Sequence, residues 1–523
     1  IPVVFNATIN YSTGILFMSS SETIDMTPPS MIDLSKIFLS NSTAELTIPL
    51  TGATIYETDG LIVTIGLTAL QRAAAIALSG TPGGDGGSLV FDVQVAALRD
   101  IAGNFNEDHF GLFLLEHQDI IPPVIINAII DYNDGTLIVN NTDIIDVTPT
   151  TRVIVDRLRF KNASDSSNFV NLDGAIVTAS DDSKITLSIT EEDRSLSIQF
   201  SGTSGGDTTA ALLDVLAGAY TDIGLVETPL QTEIVLEEIA DTVKPVPNIM
   251  IVNFTDGTGT LSASETLDVT PTSNMDTSKF VLRGTNDPNV PVSFGSSSVV
   301  ATDGTTISFT ISEQERVDAI KLTSHNGGNN IPILRIQDNA MRDNAINFNV
   351  DIDGVQFNSS ADILRPSLDS VHVDYNDGLI TFTASETMLA ELTNLNNLNI
   401  RSESYNENLV GSVVYNNTGI ANAPLYVKMS EYQRSQVIAH SGTSGGDNTA
   451  VLMDANSGGF FDIGQNPNFP ITGLTVTEIA DTTLPVLTGT GSINYSTGFL
   501  IFEFNETIDA TPASEIDLQK IQL

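Results

Sequence analysis

Carboxylates carry almost all the chemistry this chain could do. Three Asp pairs recur with fifteen residues from first to second: Asp85 with Asp100, Asp207 with Asp222, and Asp447 with Asp462. Asn329 and Asn344 stand at the matching places in a further copy. The first member of each pair closes a glycine loop, and the second opens a turn. Loop carboxylates brought together by a sheet suit Ca²⁺, which takes roughly six to eight oxygen ligands. The same residues equally suit Asx turns or a pairing with a nearby Arg. A second set, Glu116 and Asp119, Glu238 and Asp241, and Glu478 and Asp481, precedes Pro-containing segments that read as domain junctions. Ca²⁺ held there would stiffen the chain, whereas a solvated linker needs none.

Other chemistries find no matching residues. The five His (His109, His117, His325, His372, His440) fall out of register, and no Ser–His–Asp or paired-His pattern stands out. Absence of Cys removes thiolate ligands, disulfides and Cys nucleophiles. A P-loop needs Lys-Ser/Thr after its glycines and a helix beginning there. Here a helix ends at the glycines and Asp follows. We expect no enzyme.

The glycine loop belongs to a longer segment made four times. Its copies are Thr68–Asp85, Thr190–Asp207 (TEEDRSLSIQFSGTSGGD), Ser312–Asn329 and Ser430–Asp447. Each opens on Ser or Thr with Gln71, Asp193, Glu315 or Gln433 three residues later, close to a capping box. Arg72, Arg194, Arg316 and Arg434 follow, most simply as structural ion-pair partners. Each segment predicts a helix of two to three turns, ended by Gly in the left-handed backbone that a helix exit needs.

A larger period encloses these copies. The turns starting at Tyr11, Tyr132, Phe254, Tyr375 and Tyr495 (YSTG, YNDG, FTDG, YNDG, YSTG) are 121, 122, 121 and 120 residues apart. Asp-Gly between apolar runs is hairpin chemistry. The following strand alternates, as in Ile380, Phe382 and Ala384 against Thr381, Thr383 and Ser385, which predicts an antiparallel sheet with one wet face. Variants of ETIDMTP (Glu22–Pro28) come next. The expected domains are 1–121, 122–243, 244–364 and 365–483, with 484–523 opening a fifth. The expected fold is all-β: tandem immunoglobulin-like β-sandwich domains, each with one short helix before a Gly-rich loop. Forty residues bury no core alone, so we expect more chain beyond Leu523 or a neighbour that completes the last sheet. A start at Ile1 without a signal peptide suggests a processed product or a fragment.

Net charge is −44, from 65 acidic and 21 basic residues. Such a polyanion repels nucleic acid and anionic lipid, so both are excluded as partners. Disorder is excluded too, because 41% of residues are hydrophobic and fall in alternating runs. No run of about 20 apolar residues is present to span a membrane.

Tandem acidic domains bearing SETIDMTP, IDLSKI and SGTSGGD segments resemble the surface-layer (S-layer) proteins of ammonia-oxidising archaea such as Nitrosopumilus. The resemblance runs through all the repeats. Domain three departs most, with TSHNGGN (Thr323–Asn329), and domain four loses the ETxDxTP pattern at Met388–Leu392. The resemblance implies an extracellular cell-surface protein that tiles with itself into a porous two-dimensional lattice. Acidic pores of that kind would favour small cations such as ammonium. The alternative is an adhesin or stalk of tandem Ca²⁺-stiffened domains. In an exported glycoprotein the sequons at Asn6, Asn10, Asn41, Asn140, Asn162, Asn253, Asn358, Asn416, Asn494 and Asn505 are candidates for glycan.

Overall fold

A computed structural model describes residues 1–56, 59–165, 167–284, 290–323, 332–415 and 420–522. In the first repeat, alternating residues lay down β1 (Val4–Asn10), β2 (Ile15–Ile24), β3 (Ile37–Asn41), β4 (Thr47–Pro49), β5 (Thr54–Ile55) and β6 (Gly60–Gly66). The helix α1 (Ala69–Ala77), β7 (Leu89–Val93) and β8 (His109–His117) complete it. The strand order is β4-β3-β7-β8-β1-β2-β6-β5, and three further repeats have the same order.

The sandwich arises because β8 serves two layers. Its first half pairs antiparallel with β7, with Phe113 opposite Val90 and Leu112 opposite Phe91. Its second half pairs parallel with β1, from Ala7 opposite Leu114 to Asn10 opposite His117. The pairing changes hands between Phe113 and Leu114, while Gly111, at φ +66°, marks the register shift within the β7–β8 pair and donates its amide to Asp92. The alternating strands predict an antiparallel sheet. The parallel β1–β8 pair departs from that, and its consequence is directional: the chain enters a domain at one end and leaves at the other.

Between the layers lies a core of Tyr11, Leu16, Met18, Ile37, Leu39, Val63, Ile65, Phe91 and Val93 in the first repeat, with equivalent clusters in the next three. Residues 484–523 add a two-stranded ribbon, Ser492–Asn494 with Phe499–Ile501, whose side chains are mostly exposed. The contacts divide the chain into two compact units. One comprises Ile1–Lys244 with Asp343–Asn347, the other Pro245–Arg342 with Phe348–Leu523.

The α-helices among the described residues are α1, α2 (Glu191–Ile198), α3 (Glu313–Leu322) and α4 (Glu431–Ala439). Full capping boxes form at α1, α3 and α4, where Gln71, Glu315 and Gln433 reach back to the N-cap amide. Asp193 of α2 is one methylene shorter. Thr190 still accepts from its amide, but no reciprocal bond forms. The ETxDxTP turns are pinned by a later Asp: Asp59, Asp181 and Asp303 accept from the amides of Met26, Val147 and Val269.

Candidate metal centres at the domain junctions

The repeated Arg organises each junction. In every repeat one guanidinium nitrogen donates to the carbonyl of the first turn: Tyr11 (3.0 Å), Tyr132 (2.6 Å), Phe254 (2.9 Å) and Tyr375 (2.6 Å). The same nitrogen reaches the Asp that ends its own domain. Those distances are 3.6 Å for Arg72–Asp119 and 2.7 Å for Arg194–Asp241, Arg316–Asp362 and Arg434–Asp481. In α2, α3 and α4 a Glu three residues earlier (Glu191, Glu313, Glu431) also holds the guanidinium through a forked pair of hydrogen bonds. α1 has Ala69 at that position.

Within the first unit, the second domain presents two acids to this arrangement. Asp143 comes from its second strand, Thr136–Ile145, and Asp222 from the Asp-Ile-Gly turn, which a β-bridge sets beside Ile145. Asp119, Asp143 and Asp222 each offer an oxygen, and the three lie within 4.8 Å of one another. Arg72 bonds Asp143 directly. Asp119 and Asp222 are 6% and 1% exposed. Each keeps an Oδ2 with no hydrogen-bond partner. Burial, with Asp119 alongside, pushes the Asp222 carboxyl up to about 6 against the pull of Arg72.

Within the second unit, the junction of domains three and four repeats the design more acidly. Asp362, Glu386 and Asp462 again bring oxygens within 4.8 Å. A bridge between Met388 and Asp462 sets the register. Arg316 is occupied by Glu313 and Asp362, so its nearest approach to Glu386 is 3.6 Å. Glu386 (7% exposed) has no hydrogen-bond partner on either oxygen, nor has Asp462 (0%) on its Oδ2. Burial, then the neighbouring Asp362 and Asp462, push Glu386 up to about 8. Burial, with Asp362, pushes Asp462 up to about 7. Asp241 and Asp343, both in the first unit, hold the equivalent repeat positions, and Asp343 is pushed up to about 6 by burial.

The glycine loop explains how these turns seat. A Cβ on Gly83 would strike the Ile223 carbonyl, and Ile223 packs against the first domain's core. Gly83 stands at φ +89°. Ile463 likewise joins the core of domain three. A Cβ on Gly224 or Gly464 would lie 2.8 Å from the Cβ of Asp119 or Asp362. The loop is thus a socket for the following domain, and its glycines exist for close backbone approach.

The structure therefore separates the expected Asp pairs. Asp85, Asp207 and Asp447 close local turns, accepting from the amides of Gly87, Thr209 and Thr449. Among the described residues they belong to no group that could hold a metal. Their expected partners Asp222 and Asp462 sit in the junction triads, and Asp100 accepts from Asn104 (both 2.8 Å). The matching turn of domain three begins at Asp343, one residue before the Asn344 predicted. Asn329 and His325 lie outside the described residues.

Glu238 and Glu478 are tied down elsewhere. Glu238 accepts from the Tyr132 hydroxyl (3.0 Å) and the amides of Gly202 and Ala211. Glu478 accepts from Tyr375 (2.7 Å), Gly442 and Val451. Glu116 does the same for Tyr11 and Leu89. They brace the glycine loop and do not face the cluster. Domain three has Phe254 in place of the Tyr and Ser359 in place of the Glu. Asp241 and Asp481 bind the helix Arg. Sequence reasoning missed Asp143, Asp362 and Glu386 as cluster members. The signal was there in the first letter of the ETxDxTP motif and in the Asp before each junction Pro.

Of the sequons, Asn6, Asn494 and Asn505 are exposed, while Asn10, Asn41, Asn140, Asn253 and Asn358 are half-buried. Asn162 is buried and accepts from the amides of Ser164 and Asp165, which argues against glycan there. Asn416 lies outside the described residues.

No protein-family model and no curated protein matches this chain. Among solved structures, the S-layer protein rSbsC aligns at 12% identity over 97% of this chain and 62% of its own, with a TM-score of 0.17. This chain thus spans about three fifths of that protein. A four-domain Dscam structure aligns at 10% identity over 91% of this chain and 98% of its own, at TM-score 0.15. Likeness at this level carries no argument, and the tandem sandwich fold is read from the strand order itself. No helix among the described residues is long and apolar enough to cross a membrane.

Proposed function

We propose that this chain is a structural protein of the cell surface, an S-layer component that tiles with itself into a porous lattice. One observation carries the reading. The same domain-to-domain mount, built of helix Arg, terminal Asp, strand acid and seated turn, is found where domain one meets domain two and again where domain three meets domain four. Repetition of a stiff joint serves a scaffold. The surface carboxylates give such a lattice acidic pores, which enrich small cations such as ammonium and repel anions. Screening at high salt confines that effect to narrow pores. The test is to add divalent cation to purified chain and look for ordered sheets by electron microscopy. Sheets support the lattice. Separate particles that never associate, whatever the cation, refute it and leave the stalk or adhesin reading.

A further inference from the structure

We infer that the two junction triads, Asp119–Asp143–Asp222 and Asp362–Glu386–Asp462, are binding sites for a divalent cation of the Ca²⁺ class. Three observations converge on each. The oxygens of three carboxylates from two successive domains already lie within 4.8 Å of one another, which a single ion can bridge. Four of these side chains, Asp119, Asp222, Glu386 and Asp462, are more than nine-tenths buried yet hold oxygens without a hydrogen-bond donor. Native interiors rarely leave such atoms unmatched unless a water or ion meets them. Charge does not balance either. At the second junction Asp362, Glu386, Asp462 and Glu313, when ionised, set four negative charges against one guanidinium, Arg316. At the first, three carboxylates face Arg72 alone.

An all-carboxylate set selects a hard, oxygen-seeking ion, and about six to eight ligands leave room for water beside the three side chains. Mg²⁺ wants rigid octahedral geometry and keeps its water, so Ca²⁺ is the better fit. Because the ligands come from both sides of the joint, the ion fastens one domain to the next. This holds whether or not the chain tiles into a lattice, so the two ideas fail separately.

The test uses the whole chain stripped with chelator at pH 8. Ca²⁺ alone is titrated by calorimetry and thermal melting, with Mg²⁺ as comparison. Asp222→Asn and Asp462→Asn each remove one buried ligand. Each should abolish one equivalent of Ca²⁺ binding and shrink the Ca²⁺-induced rise in Tm. Without Ca²⁺ each variant should melt at or above the parent, since one repelling charge is gone, and that shows the loss is not misfolding. If either variant fails to fold, Asp143→Asn and Glu386→Gln remove a ligand from the same two sites. Failure of the stripped parent to take up Ca²⁺, or full stoichiometry in the variants, overturns the inference.

Discussion

At the junction of domains one and two and that of domains three and four, the helix position three residues before the Arg holds Ala69 and Glu313, and the Arg reaches different acids. Glu313 clamps Arg316 from one side and also accepts from the Thr387 hydroxyl at 2.7 Å, so the guanidinium is spent before it reaches Glu386. Ala69 offers no clamp, and Arg72 turns to Asp143 instead. The first joint is thereby partly neutralised from within, whereas the second leans on something external. Residues 484–522 combine the two: Glu431 holds Arg434 and accepts from the Thr507 amide at 2.6 Å, yet Arg434 still bonds Glu506 at 3.1 Å.

Removing the cation at the centre should separate the joints most. Arg316→Ala strands Asp362, Glu386 and Glu313 together, and truncating one partner of a buried charge pair costs about 3–5 kcal/mol. Arg72→Ala strands fewer acids and should cost less. Denaturant melts of both variants check the order, and an equal or reversed cost would break the comparison.

Titration comes next. Asp222, Asp462 and Glu386 are held above their ordinary values, so the folded joint binds more protons than the unfolded chain. In chelator the stabilisation is complete below about pH 4 and fades with rising pH. The fading should pass through about 6 at the first joint, where Asp119 and Arg72 face Asp222. At the second it should pass through about 7 and about 8, where Asp362, Glu313 and Arg316 face the pair. Ca²⁺ should cancel the loss by replacing the protons. Tm against pH, with Asp462→Asn as control for general surface repulsion, reads the windows. A flat profile in chelator would count against the burial argument.

Exchanging the residue three before the Arg sharpens the contrast further. Ala69→Glu should draw Arg72 off Asp143 and enlarge the Ca²⁺-dependent rise in Tm at the first joint, while Glu313→Ala should reduce it at the second. The smallest effect lies at the base of α2. Asp193→Gln gives that helix the capping residue of α1 and α4, and should stabilise it by about 0.5–1 kcal/mol with no change in Ca²⁺ response. A changed response there would mean the helix cap and the joint are coupled.

The repeat, the helix with its cap and the hairpin turns were legible because each is written in consecutive residues. The joint was not, because its parts are far apart in sequence. Asp119, Asp143 and Asp222 meet only through the β-bridge of Ile145 with Asp222 and the seating of Ile223 in the preceding domain. The fifteen-residue spacing from Asp207 to Asp222 is real, yet it records only that one Asp closes a loop and the other opens a turn. Reading the acids by repeat column instead, with Glu22, Asp143, Glu265, Glu386 and Glu506 as one column, points to the joint directly. The Tyr–Glu brace was also hidden, since Tyr132 and Glu238 are joined only by the parallel pairing that periodicity cannot announce.

That parallel pairing of first and last strands has a genetic consequence. The joint of domains one and two and that of domains three and four each take Arg and a terminal Asp from the domain before and a strand acid and turn Asp from the domain after. The tails of domains one and three therefore present the same kinds of residue to the domain that follows. Unequal recombination that drops or duplicates one period of about 121 residues rebuilds an intact joint at the scar, for instance Arg72 and Asp119 meeting Glu386 and Asp462. Length in this protein is a quantity that selection can adjust in whole domains while the same kinds of residue meet at the new joint.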